Sequence, residues 1–366
     1  MTSTRYRVVQ WATGDAGRRA MREVIRHPAY DLVGVLTYDA AKKGKDAGEL
    51  CGEARTGVLA TTDRREIFKL KADCVLYMPR AAGPASARAG LTIPQVLDDV
   101  VALLESGTNV VTLVTDFHAG GHPRLGEEGL ARIRTACERG KSSLYATGTD
   151  PGLVSEQIAY AFLSAQRKVD SVEIIEYGDL SQRPSPHMIF DQLGFGKPMK
   201  DFSSEGWAAH LLAEYGGPLS RLADAAGFRV EGTSARGVVA AARRDTKIVA
   251  GEVKAGTVAA QRFIMTVHSE GKEVVSLDQY AYVTMDVDPA WELRRSGWRV
   301  RVNGDAPFDA DLTFPVPLEK IGQYVPSYNA NLPVNAIPYV CAARPGLLTT
   351  EDLPPIVPRG PQRQSK

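Results

Sequence analysis

Two stretches of this chain bring together residue types that could do chemistry. The first is Ala12-Thr13-Gly14-Asp15-Ala16-Gly17, which follows a short apolar run and opens a helical pattern. A strand, a tight glycine turn and a helix aim several free backbone N–H groups at one spot, and with the helix dipole they favour an anion such as a pyrophosphate. On that reading Thr13, Gly14, Asp15, Ala16 and Gly17 hold the phosphates: Gly14 admits the cofactor and Gly17 lets the helix pack closely. Ala12 stands where the first glycine of such turns is usual, and a purely structural strand-to-helix turn would use the same glycines. The second stretch is the glycine-rich loop holding His118 and His122. Imidazole titrates near neutrality and could donate to a carbonyl oxygen.

The elements that must position these groups alternate. Val8–Trp11, Leu32–Leu36, Cys74–Tyr77, Asn109–Thr112 and Ser143–Ala146 read as strands. Between them lie helical patterns, one opened by Pro94 and stopped at Gly107, another over Glu127–Glu138. Such alternation predicts an α/β fold, a parallel sheet with helices on both faces, over residues 1–150. After a helix over Val154–Gln166 the chain turns β-rich, with strand-like stretches at Val172–Tyr177, Arg229–Ala242, Thr257–His268, Glu273–Val287 and Trp298–Val302. This predicts a second, α+β domain over residues 151–332. Residues 354–366, rich in proline and polar groups, are expected to be a disordered tail.

Ligands of a parallel sheet bind beyond the C-terminal ends of its strands. Three loops converge there: Met78-Pro79-Arg80, Leu113–His118 and Thr147–Gly152. Thr37, Tyr38 and Lys43, after the second strand, are candidates for the adenosine ribose. An acid at that strand tip would select NAD and cations would accept the extra phosphate of NADP. The tip is Thr37; Asp39 could serve NAD, and Lys42, Lys43 and Lys45 tilt the balance to NADP while leaving NAD open.

At 366 residues the chain is long enough for about two domains. A net charge of +1 gives no global field to draw nucleic acid or anionic membrane. Cys51, Cys74, Cys137 and Cys341 form no CxxC pair, which fits a reducing cytosol, and no metal ligand set is read from the sequence. The polar, basic start lacks a signal peptide's apolar stretch, and no apolar run approaches the ~20 residues of a membrane span. A cytoplasmic protein with a small-molecule substrate is expected.

Several motifs resemble one superfamily. Gly44-Lys45-Asp46-Ala47-Gly48-Glu49-Leu50 with Thr56-Gly57-Val58, and Gly346–Leu353, resemble dihydrodipicolinate reductases, in which the chain returns to the cofactor domain at its end, here about residues 333–353. The His-His-rich helix of those reductases has no counterpart. Ala146–Gly152, Gly194-Phe195-Gly196 and Asn335-Ala336-Ile337-Pro338 are more similar to the branch of 2,4-diaminopentanoate dehydrogenases and native amine dehydrogenases.

That resemblance implies a Rossmann domain joined to an α+β domain built on an open mixed sheet, and a homodimer with NADP or NAD as cofactor. It implies a reaction at a C–N bond: dehydrogenation of an amine, or reductive amination of a small ketone or aldehyde. It places the peptide groups of Leu113, Val114 and Thr115 on the nicotinamide, with Met78 and Pro79 nearby. It makes the acid after the fifth strand catalytic. Here that acid is Asp116, one methylene and about 1.5 Å shorter than the family's glutamate. Asp116 would hold an ammonium or iminium by charge or act as general base, and His118 would assist. Tyr177, His187, Phe195, Trp207 and Trp298 fall in segments that line the pocket in that family. Ketone or aldehyde reduction, and a catalytically silent NAD(P)-binding sensor, remain the alternatives.

Overall fold

The structure, a computed structural model, describes residues 5–80 and 91–358. Two compact units divide these residues: 5–80, 91–153 and 324–358 form one, and 154–323 the other.

The first unit is built on a parallel sheet of β1 (Tyr6–Trp11), β2 (Tyr30–Leu36), β3 (Ala60–Thr61), β4 (Cys74–Tyr77), β5 (Asn109–Thr112) and β6 (Ser143–Ala146). Helices α1 (Asp15–Arg26), α2 (Ala47–Cys51), α3 (Arg64–Lys69), α4 (Ile93–Glu105) and α5 (Gly126–Gly140) fall between them. Every residue of β4 and β6 is buried, as expected of parallel strands covered on both faces. One face carries Trp11, Tyr77, Val100, Leu104 and Ile133; the other carries Val8, Ala20, Tyr30, Leu76 and Ile337. The order is β16-β6-β5-β4-β1-β2-β3, where β16 is Gly346–Leu348, so the late strand seen in the resemblance joins this sheet beside β6. Strand order reverses between β1 and β4, where dinucleotides bind in such sheets.

The second unit has a mixed sheet of β7 (Val169–Asp179), β8 (Gly232–Ala242), β11 (Val258–Ser269), β12 (Lys272–Tyr282), β13 (Val287–Asp288), β14 (Gly297–Gly304) and β15 (Phe308–Thr313), with β9 (Thr246–Ile248) and β10 (Gly251–Val253) as a separate hairpin. Helices α6 (Ala159–Leu163) and α7 (Ser204–Ala225) contribute Ala159, Ala208, Leu219 and Leu222 to its core.

Three expectations change. The helix over 154–166 is a π-helix, Leu153–Ile158, running into the short α6. The 25-residue α8 (Leu318–Ala342) was not anticipated because Pro326, Pro333 and Pro338 lie inside it. The tail is ordered beyond 354, because the Tyr339 hydroxyl donates to the Val357 carbonyl at 3.0 Å and accepts its N–H at 3.1 Å; residues 359–366 lie outside the described chain.

The Gly44–Leu50 motif is architectural. Asp46 caps α2, and its carboxylate accepts from the Gly48, Thr56 and Gly57 N–H groups at 2.8, 3.0 and 2.7 Å. A Cβ on Gly48 would lie 2.0 Å from the Ala54 carbonyl oxygen. Burial pushes the Asp46 carboxyl up, but these hydrogen bonds outweigh it and hold the group below its ordinary value. Its contribution is therefore full above the unfolded value of about 3.9 and lost as pH falls through the lower folded value. Asp46→Ala should cost about 2–3 kcal/mol near neutral pH, read by urea denaturation, with the deficit shrinking in acid.

Candidate active site

The turn between β1 and α1 fits a dinucleotide phosphate. Ala12 has φ +77°, the left-handed conformation that favours glycine, so the turn keeps its shape without the usual first glycine. Gln10, fully buried, donates to the Ala12 carbonyl at 3.0 Å. A Cβ on Gly17 would lie 2.2 Å from that carbonyl oxygen, so only glycine lets α1 start so close to β1. Gly14 is the N-cap of α1 and supplies no side chain to it. The first N–H groups of a helix lack intrahelical acceptors, and a Cβ on Gly14 would meet nothing within 4 Å, so an anion has open space there. Asp15, at the helix start, is turned to Arg18 and Arg19 at 3.3 and 3.2 Å.

Beyond β2 the buried Thr37 hydroxyl lies 2.9 Å from that of Thr13. Lys42 Nζ donates to the Thr13 carbonyl at 3.0 Å, whereas Lys43 is exposed, so Lys42 is the lysine brought to the turn. The Tyr38 hydroxyl accepts from Trp11 Nε1 at 2.7 Å and donates to the buried Asp99 at 3.3 Å. With the residue still 48% exposed, the Tyr38 ring is anchored at its tip and open along its body. Met78 and Pro79 are buried just past β4, where the Met78 N–H donates to the Trp11 carbonyl at 3.0 Å.

At the C-terminal ends of β5 and β6 lies a cavity of about 140 Å³, lined by Leu113, Val114, Thr115, His118, Ala146, Thr147, Gly148, Asp150, Pro151 and Asn329. At about 30 Å³ per water it has room for several waters, the bulk of a small organic molecule. The Thr112 hydroxyl donates to the Tyr77 carbonyl at 2.7 Å and accepts the Val114 N–H at 3.0 Å, so β5 sets the start of the loop. Asn329 Oδ1 accepts the Thr149 N–H at 2.7 Å and its hydroxyl at 2.6 Å. Gly152 is required because a Cβ there would lie 2.3 Å from the Gly148 carbonyl.

His118 lines this cavity; Nδ1 accepts the Gly120 N–H at 3.1 Å, which puts the proton of the neutral ring on Nε2. Asp116 is placed differently. Its carboxylate, 1% exposed, lies 2.9 and 3.0 Å from two nitrogens of the Arg124 guanidinium and 3.3 Å from His122 Nδ1, and it is not among the cavity's lining residues. The Thr147–Gly152 loop was expected beside the Leu113–His118 loop, and the structure brings the two to one cavity; Asn329 arrives from α8 and had no signal in the sequence. Of the bulky candidates in the second unit, Phe195 is in its core, Tyr177 stacks on Tyr280 and Trp298 packs edge-on to Phe314.

The fold, together with the family and the relative that the chain matches, defines a dehydrogenase dependent on a nicotinamide dinucleotide. Within that class the chain belongs to the 2,4-diaminopentanoate dehydrogenase family, whose C-terminal domain it matches over residues 153–363. It is 26% identical over 370 residues to an amine dehydrogenase of Streptomyces virginiae, covering 98% of this chain and 99% of that one. In fold it is similar to the amine dehydrogenase of Mycobacterium smegmatis, with a TM-score of 0.74, 17% identity and 97% of each chain covered. A probable dehydrogenase from Thermotoga maritima is similar over 94% of this chain and 92% of its own, with a TM-score of 0.56 and 13% identity.

Because a side chain at residue 14 has space in the protein alone but would stand where the phosphates come, Gly14→Val should leave the melting temperature near that of the parent. It should weaken NAD(P)H binding at least about tenfold, measured by fluorescence titration. Unchanged affinity would refute the placement of the phosphates.

Proposed function

We propose that this chain transfers hydride between NAD(P) and a C–N bond, oxidising a small amine to an imine that hydrolyses to a ketone or aldehyde, and catalysing the reverse reductive amination. The observation that carries this reading is the end-to-end match with the amine dehydrogenase of Streptomyces virginiae, 26% identical over 98% of this chain. The small cavity beyond β5 and β6 supports it, since a reacting carbon must lie there against the nicotinamide. The cofactor itself supplies the hydride acceptor; the chain's residues orient it, hold the substrate and move its proton.

His118 supports a second reading. Its ring lines the cavity with Nδ1 held by the Gly120 N–H, and an imidazole is the kind of group that hands a proton to a carbonyl oxygen, as reduction of a ketone to an alcohol requires. Ammonia separates the two. Oxidation of NAD(P)H by a panel of small ketones and aldehydes should depend strictly on added ammonium; equal rates without it would favour the alcohol-forming reaction. No turnover with any amine, alcohol or carbonyl compound would point to a sensor.

For the cofactor, we infer NADP. Thr37 rather than an acid ends β2, Asp39 caps residue 41 at 3.0 Å with its other oxygen 3.9 Å from Lys42 Nζ, and Lys42 stands over the turn beside Thr13. Lys42→Ala should weaken NADPH binding about tenfold and NADH binding by less than about threefold. Equal losses for both cofactors would contradict the assignment.

A further inference from the structure

Asp99 is a carboxylate in an apolar place. It lies within α4 among Val96, Val100 and Leu103, which belong to the core on one face of the parallel sheet, and it is itself 3% exposed. Burying a carboxylate costs free energy unless donors surround it, and three reach this one. The Tyr77 hydroxyl donates to Oδ2 at 3.2 Å, the Tyr38 hydroxyl donates to the same oxygen at 3.3 Å, and the Arg64 guanidinium pairs with Oδ1. From β1, Trp11 Nε1 donates to the Tyr38 hydroxyl at 2.7 Å. Well-packed apolar residues are often as stabilising as a buried ionic group, so what this group supplies is position more than stability.

Tyr77 is fully buried, but the other two donors reach in from outside. Tyr38 is 48% exposed and the Arg64 side chain 58%. An exposed arginine ordinarily ranges over many rotamers; here a buried carboxylate holds it by its tip, and the Tyr38 ring is held the same way. The two residues stand at one edge of the sheet. Tyr38 follows the end of β2, and Arg64 opens α3 just beyond β3, the strand that pairs parallel to β2. Between them the Thr37 N–H donates to the Thr61 carbonyl at 2.9 Å, and the Thr37 hydroxyl reaches Thr13 of the β1–α1 turn. From phosphates at that turn, the adenosine half of a dinucleotide runs toward the C-terminal end of β2.

Resting on the placement of the phosphates at the β1–α1 turn, we infer that Tyr38 and Arg64, fixed by Asp99, form the wall on which the cofactor's adenine stacks, with Asp99 as a positioning residue. A phenol ring tied at its hydroxyl and open along its body offers a face to a purine, and a guanidinium is flat and stacks on rings in the same way. Because Asp99 already answers the charge of Arg64, the guanidinium offers its face rather than an unpaired charge. The wall reads the base, which NAD and NADP share, so it does not discriminate between them as the contact assigned to Lys42 does.

ADP and UDP share ribose and diphosphate and differ only in the base, so their competition against NAD(P)H, followed by fluorescence, isolates this contact. The full-length parent should prefer ADP by at least about fivefold. Tyr38→Leu should weaken ADP, NADH and NADPH alike by about tenfold, and UDP by less than about threefold. Tyr38→Phe, which keeps the ring and loses its tether, should retain most of the preference for ADP. Asp99→Asn keeps size and releases Arg64; it and Arg64→Ala should each lower the ADP preference at least about threefold, a change of base selectivity that a merely structural role would not produce. The inference is overturned if the parent binds ADP and UDP alike, if the variants weaken both nucleotides by one factor, or if NADPH alone is weakened. Full NAD(P)H affinity in Gly14→Val overturns the placement of the phosphates itself, and this assignment with it.

Discussion

The whole first unit depends on how closely α1 can approach β1. That distance is set by one contact: the Ala12 carbonyl lies where any side chain on residue 17 would have to go, 2.2 Å from a Cβ. Glycine at 17 brings the helix start down onto the strand end, and the buried Gln10 amide holds the same carbonyl from beneath. The N-terminus of α1 then faces open space at Gly14, where its dipole and unsatisfied N–H groups favour an anion. Ala12 bears the cost of the geometry, since a left-handed backbone is disfavoured for a residue with a Cβ by roughly 1 kcal/mol or more.

The reacting end is organised by the same sheet, two strands away. Parallel strands end together, so the loops after β5 and β6 leave side by side and share one cavity. Each loop is tied back to its strand: Thr112 holds Val114, the Thr112 carbonyl accepts the Thr147 N–H at 3.0 Å, and Gly152 folds against Gly148. The site is therefore held by rigid elements at its base, as positioning a reacting carbon within about an ångström requires. Asn329 adds a tie from the far end of the chain, since α8 returns to this unit and fastens Thr149.

The motif that most strongly marked the family, Gly44–Leu50, does no chemistry. It is a loop built around one carboxylate, Asp46, whose hydrogen bonds fix residues 46–57 next to β2. A sequence signature of this kind reports ancestry because the loop tolerates few substitutes. Asp116, which the resemblance made catalytic, carries no comparable signature, and its carboxylate faces Arg124.

The sequence by itself determined the parallel sheet, the glycine turn that joins β1 to α1, and the family. Those features rest on local patterning: fully apolar short strands, glycines at a helix start, and a motif read residue by residue. The β1–α1 turn could be read even with Ala12 in the first place, because its position after the first strand does not depend on distant contacts. Three things were decided only by tertiary structure. The prolines of α8 hide a helix that packing supports, with Pro333 and Pro338 buried within it. Lys42 rather than Lys43 reaches Thr13 because the short helical turn at residues 40–42 rotates one lysine inward. Arg124 captures Asp116, because the charges packed around a carboxylate come from residues brought together only by folding.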